Sequence, residues 1–118
     1  MKAATPRQKA VRDAVRLLVP HAPMADVAAI FENAIGKRLR HMAPHDAVTL
    51  SAIARARHAH TDYDAMLADG QDRDVARYLT LEDARDALDD WGARFTIDDA
   101  PEEPAPAEAG PGLVAGAR

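Results

Sequence analysis

From Pro6 to Trp91, apolar residues recur at intervals of three and four, and the breaks between runs fall at Pro20, Gly36, Gly70 and Gly92. That period is the period of one face of an α-helix, and proline and glycine are the residues that interrupt it. No run alternates with the period of two that a half-buried strand requires, although Ala93-Arg94-Phe95-Thr96-Ile97 has room for a short extended segment. The pattern therefore predicts an all-α chain of short helices. Two Phe, two Tyr and one Trp are the only aromatic residues. Burial must rest on Ala, Val, Leu and Ile, of which each large side chain contributes roughly 1.5–3 kcal/mol when fully buried.

Thr5 and Pro6 are a capping residue and a first-turn proline, opening a helix whose stripe is Val11, Ala14, Val15 and Leu18 and which Pro20 stops. A second helix begins near Met24 with Val27, Ile30, Phe31, Ala34 and Ile35 on its buried face, and Gly36 suits the left-handed position that ends helices. The short connection predicts that these two pack as antiparallel neighbours. A basic loop with Lys37, Arg38, Arg40 and His41 leads to a third helix from about Asp46, carrying Val48, Leu50, Ile53, Ala54 and Ala56. Thr61 followed by Asp64 is close to a capping box, with Asp for the usual Glu or Gln, and opens a short helix with Tyr63, Met66 and Leu67 inward. Asp72 caps a last helix. Val75, Tyr78, Leu81, Ala84, Leu88 and Trp91 favour one helix over 73–91, with Thr80-Leu81-Glu82-Asp83 as a competing cap. The whole predicts one compact bundle of four to five helices over residues 5–97. Residues 98–118, rich in Pro, Ala, Gly and Glu, are expected to form a disordered tail.

Charge is distributed unevenly. Residues 1–60 carry ten Lys and Arg against four acids, and residues 61–118 carry five Arg against fifteen acids. Either the halves attract each other within the fold or in a homo-oligomer, or the basic half meets an anion. The absence of cysteine removes disulfides and thiolate ligands. No apolar run approaches the length of a membrane span, and no apolar segment follows the charges of the first ten residues, so no membrane partner and a cytoplasmic location are expected.

The residues from Arg55 to Asp64 concentrate two Arg, two His, Thr, Tyr and two Asp. Arg55, Arg57, His58, Thr61 and Tyr63 are candidates for an anion-accepting corner, because each can donate hydrogen bonds. Lys37, Arg38 and Arg40 can join them only if the loop folds back along the third helix, whose ends are ~20 Å apart. His58 and Asp62, like His60 and Asp64, are spaced four apart, which on one helix face would suit a divalent metal and a metal-dependent enzyme. Thr61 interrupts that face, and no standard metal signature is present. Ser51 and Thr61 are the candidate nucleophiles, but neither has a strand-to-helix elbow around it. No glycine-rich phosphate loop is present, so no cofactor is expected.

The segment from Ala54 to Trp91 resembles the family called domain of unknown function 2293. Arg57, His58, Thr61, Tyr63, Asp64, Leu67, Gly70, Asp72, Arg73 and Trp91 carry the resemblance, which covers residues 52–91 well and the helices before it more loosely. The resemblance implies no activity. A binding role without catalysis is expected: an adaptor or protein-interaction module, whose surface Met24, Met42 and Met66 are placed to line. Nucleic-acid binding through the basic half is the alternative, and the metal-dependent enzyme the second.

Overall fold

The computed structural model describes residues 4–104. Six α-helices follow in order: α1 (Pro6–Leu18), α2 (Met24–Ala34), α3 (Pro44–His60), α4 (Tyr63–Ala68), α5 (Arg73–Leu79) and α6 (Leu81–Asp90), with a 3-10 turn at Ile97–Asp99. No strand occurs among the described residues, and no helix there is long and apolar enough to cross a membrane.

The centre of the fold is α3. Ala47, Val48, Thr49, Leu50, Ser51, Ala52, Ile53 and Ala56 are all buried, so the helix is enclosed around most of its circumference rather than along one stripe. Helices α1, α2 and α6 pack on it. Its buried positions include three Ala, one Ser and one Thr, and small side chains let neighbouring backbones approach closely. The Ser51 hydroxyl is satisfied by Asn33 of α2, whose Nδ2 donates to it at 2.9 Å. Around α3 lie Val11 and Val15 of α1, Ile30 and Ala34 of α2, and Ala84, Leu88 and Trp91 at the far end of the chain.

The local signals at the start of the chain act as their chemistry requires. Thr5 and Gln8 form a reciprocal capping box, with the Gln8 amide donating to the Thr5 hydroxyl oxygen and the Thr5 amide to the Gln8 side chain. Between α2 and α3 the basic loop is pinned from both sides. Leu39 is fully buried, and the two terminal nitrogens of Arg7 donate to the carbonyls of Leu39 and Met42 at 2.9 and 2.7 Å. With Leu39 driven into the core, Lys37, Arg38, Arg40 and His41 are left exposed.

Four local expectations are corrected. Gly36 does not take the left-handed conformation; among the glycines of the described residues only Gly70 and Gly92 have positive φ. Helix α2 instead closes with the Ile35 and Gly36 amides bonded back to Phe31 and Asn33. The Thr61–Asp64 capping box does not form, because the Asp64 carboxylate is taken by His58. The expected last helix is two helices. Thr80 breaks it, buried with its hydroxyl donating to the Ala76 carbonyl at 2.8 Å and its backbone at φ −103°, ψ 6°. Such back-bonding of a threonine to the carbonyl four residues earlier bends helices. The break turns α5 over. Val75 and Tyr78, expected in the core, face outward, and Ala76 is the buried residue of that helix. Apart from these four, the 3-10 turn spans the start of the expected tail. Residues up to Pro104 run back over the domain, and the remainder of the tail expectation lies outside the described residues.

The two ends of the bundle are tied at Trp91. The His21 amide donates to the Trp91 carbonyl at 2.9 Å, and the Arg94 amide donates to the Leu18 carbonyl at 3.0 Å. Gly92 makes this closure possible with φ +69°, and a Cβ there would meet His21 Nδ1 at 2.8 Å. Gly70, at φ +91°, has open space around it. Gly92→Ala is therefore expected to destabilise the domain by about 1–3 kcal/mol and Gly70→Ala by less, since the first adds a clash to the conformational cost. Urea unfolding of the two variants side by side measures the difference.

Candidate functional site

Two constellations of polar residues stand where α3 ends. The first is centred on Asp26. Pro23 leaves the N-terminus of α2 without a side-chain cap, and Asp26 sits in its first turn, where the helix dipole favours an acid. The side chain is almost fully buried (residue 3 % exposed). Arg55 Nε and His60 Nε2, both from the end of α3, donate to the same Asp26 oxygen at 2.6 and 2.9 Å. The His60 ring meets Trp91 edge to face at 5.5 Å between centroids. One carboxylate thus ties the start of α2 to the end of α3, beside the tryptophan that closes the bundle. Burial pushes the Asp26 carboxyl up, but the hydrogen bonds and charges of His60 and Arg55 outweigh it and hold the group below the ordinary aspartate value.

The second constellation follows Arg57. The Thr61 hydroxyl donates to the Arg57 carbonyl and accepts the Tyr63 amide at 3.0 Å, so both of its roles go to turning the chain from α3 into α4. His58 Nδ1 donates to Asp64, and the His58 ring lies edge-on to Tyr63 at 5.2 Å. Tyr63 is buried, and the Arg57 guanidinium lies over its ring at 5.5 Å.

The five residues of the expected corner therefore divide. Arg55 turns to Asp26, His58 to Asp64 and Thr61 to the backbone, while Arg57 faces another way. The guanidinium of Arg57 has no ion-pair or hydrogen-bond partner among the described residues. It lines a hollow of about 330 Å³ with Asp74, Arg77 and Tyr78 from α5, Thr80 at the α5–α6 break, Leu81 and Ala84 from α6, and Ile97 from the 3-10 turn. Arg38 of the basic loop reaches the same neighbourhood through Glu103, which pairs with Arg38 at 3.1 Å and with Arg77 at 3.7 Å. Burial pushes the Arg57 guanidinium down from its ordinary value, and the nearby charge of Arg77 acts in the same direction. Lys37 and Arg40 remain exposed on the loop.

The four residues of the expected metal site do not gather. His60 faces Asp26 while His58 faces Asp64, and among the described residues no three His, Asp or Glu stand close enough to share an ion. The methionines also separate. Met24 is 82 % exposed on the rim of a shallow apolar hollow between α1 and α2, Met42 packs against the core, and Met66 is half-buried.

Much of the arrangement lies in the stretch that carries the family resemblance, and a family model described as an uncharacterized conserved protein, DUF2293, matches residues 14–92. The chain belongs to the DUF2293 family. That match runs from within α1 to just past Trp91, so it takes in both constellations and leaves out Ile97 of the hollow and Glu103. No curated protein and no solved structure matches the chain.

Three residues of these constellations escape a reading of the sequence. Asp26 is a lone acid in an apolar run, and its only signal is its place in a first turn with two cations ending the next helix. Arg77 is hidden among the acids of α5 and α6. Glu103 belongs to a stretch whose composition suggests nothing but solvent.

Asp26→Asn keeps the shape and removes the charge, and is expected to cost about 1–2 kcal/mol at neutral pH, at the lower end for charged hydrogen bonds because Arg55 and His60 reach solvent. The folded value of Asp26 lies below the unfolded one, so the stabilisation is complete above about pH 4 and is lost as the pH falls through the folded value. Denaturant midpoints of the parent and the variant, measured down to acid pH, should converge.

Proposed function

We propose that this domain is a non-catalytic protein-interaction module that docks a short segment of another protein on the outer face of α5. The supporting observation is the orientation of that helix. Val75, Tyr78 and Leu79 stand at helical spacing on its exposed side, with Tyr78 77 % exposed, while Ala76 takes the inner position. A helix that directs its small residue inward and its large apolar residues outward departs from the pattern that folding alone favours, and such departures mark binding surfaces. Three side chains on seven residues fall well short of the ~800 Å² per partner of a standard globular interface, so the reading commits to a short segment rather than a second copy. Arg73, exposed at the start of the same helix, favours an acidic flank on that segment. The candidate nucleophiles speak against catalysis: Ser51 is buried and accepts from Asn33, and the Thr61 hydroxyl is spent on the helix junction.

A photo-crosslinking amino acid at position 78, introduced in producing cells, tests the reading. The expected product is a discrete adduct mapping to an acidic, apolar segment of another protein, reduced at least tenfold by Leu79→Asp, an effect of about the size of a hot-spot loss. An adduct pattern indifferent to Leu79→Asp, or confined to a second copy of the chain, removes it.

Nucleic-acid binding is the second reading. It is supported by Lys37, Arg40 and His41, exposed beside Arg38, whose partner Glu103 also contacts Arg77 at the hollow that Arg57 lines. On this reading, mixed-sequence DNA or RNA binds with a steep salt dependence, and combined Arg38→Ala and Arg57→Ala lowers the slope by about two. Fluorescence anisotropy across a salt series measures it, and a salt-independent or absent signal in the parent protein removes it.

A further inference from the structure

We propose that the hollow framed by Arg57 of α3 and Arg77 of α5 is a binding site for a phosphate monoester dianion, and that Glu103, which pairs with Arg38 and approaches Arg77, competes for Arg77 when that ligand is absent. This goes beyond the docking face, whose Val75 and Leu79 do not line the hollow; Tyr78 borders both.

The first support is an imbalance of donors and acceptors. Two half-buried guanidiniums close enough to repel each other share one hollow. Glu103 is the carboxylate that approaches Arg77, and it answers incompletely. Its pairing with Arg38 is a hydrogen bond of 3.1 Å, but its approach to Arg77 is 3.7 Å, too long for one. Arg77 Nε is buried with no acceptor among the described residues. The Arg57 guanidinium there has the Tyr63 ring face and no acceptor of its own. Buried donors are normally paired, and leaving one unpaired is costly. Glu103, with one charge and two oxygens, cannot serve three arginines, and the Asp74 carboxylate makes no ion pair with any of them among the described residues. A phosphate monoester carries up to two charges and three terminal oxygens, and arginine's planar fork binds such oxygens two at a time.

The second support is the shape of the hollow. At about 330 Å³ it exceeds what a phosphate group fills, and its remaining wall is apolar, from Leu81, Ala84 and Ile97, with the Tyr78 ring at its edge. The organic part of a phosphate ester is therefore received on that wall while the arginines hold the anion. Asp74 also lines the hollow and is the group there that opposes an anion. The cations outnumber it.

The segment carrying Glu103 is held by its own contacts. Arg85 of α6 pairs with Asp98 at 3.1 Å, and the Thr96 hydroxyl oxygen accepts the Asp99 amide. Only the end of the segment need shift for Arg77 to turn from Glu103 to a ligand, so Glu103 competes for that guanidinium as an internal carboxylate.

The full chain is titrated with inorganic phosphate and with phenyl phosphate at constant ionic strength set by chloride. The Nε–Hε resonances of the arginines are followed by NMR. Saturable shifts of the Arg57 and Arg77 signals are expected, with phenyl phosphate binding more tightly. Glu103→Gln is expected to raise the affinity about fivefold, the size of one exposed ion pair. Arg77→Ala should abolish the shifts. If that variant does not fold by circular dichroism, Arg77→Lys keeps the charge without the fork and should still weaken binding severalfold. Leu79→Asp should leave phosphate binding unchanged, so a failure of the docking reading and a failure of this one are told apart. The proposal is overturned by resonances that do not saturate or do not move, by an affinity indifferent to Glu103→Gln, or by oligonucleotide binding without any response to phosphate. The last result assigns the arginines to nucleic acid instead.

Discussion

The fold depends on the close approach that small residues on α3 allow. A helix enclosed by three others must present a narrow cylinder, and Ala47, Ser51, Ala52 and Ala56 provide it, with Val48, Leu50 and Ile53 filling the spaces between neighbours. Packing of this kind is dense and intolerant of added volume. It also explains how a chain with so few aromatic residues sustains a core. Short interhelical distances recover in dispersion contacts what larger side chains would otherwise contribute in buried area. Asp26, Thr49, Ser51 and Thr80 are the polar residues buried among those described, and the Ser51 hydroxyl and the Asp26 carboxylate are each answered from a neighbouring helix.

Asp26 gives the packing its registry. The acid is on α2, its partners Arg55 and His60 are a turn and more apart on α3, and His60 leans on Trp91 beyond α6. Sliding α2 along α3 would leave a buried carboxylate unpaired, a larger loss than the pair contributes when made. The constellation is therefore a clamp that fixes where α3 ends. From that end the chain turns through Thr61 into the α4–α5 lobe, and the arginine hollow opens between this lobe and α6.

The helices before Gly70 were largely legible because their signals were redundant. Thr5, Pro6 and Pro20 bound the first helix, and alanine and valine at intervals of three and four mark the buried faces. Beyond Asp72 the signals conflicted. The apolar period runs unbroken from Val75 to Trp91, and Thr80 overrules it with a hydroxyl whose backbone bond only the folded environment settles. Periodicity states that a stripe exists but not which way it faces, so it marks Val75 and Tyr78 as core although both face outward. Arg38 and Arg57 were legible as cations; their nearness to Arg77 was not, since it depends on the turn at Thr80 and on the return of the chain past Ile97. Local chemistry can be read along a chain, whereas convergence is a property of topology.

The two threonines at the edges of the α4–α5 lobe have a shared consequence. The hydroxyls of Thr61 and Thr80 each reach back four residues to a helical carbonyl, at Arg57 and at Ala76. The intervening stretch is therefore bracketed by matching clasps, each completed within its own stretch of chain and independent of the helices that surround α3. Such a cassette can change its outer surface at Val75, Tyr78 and Leu79 without asking the helices around α3 to repack, while Tyr63 and Ala76 keep it seated.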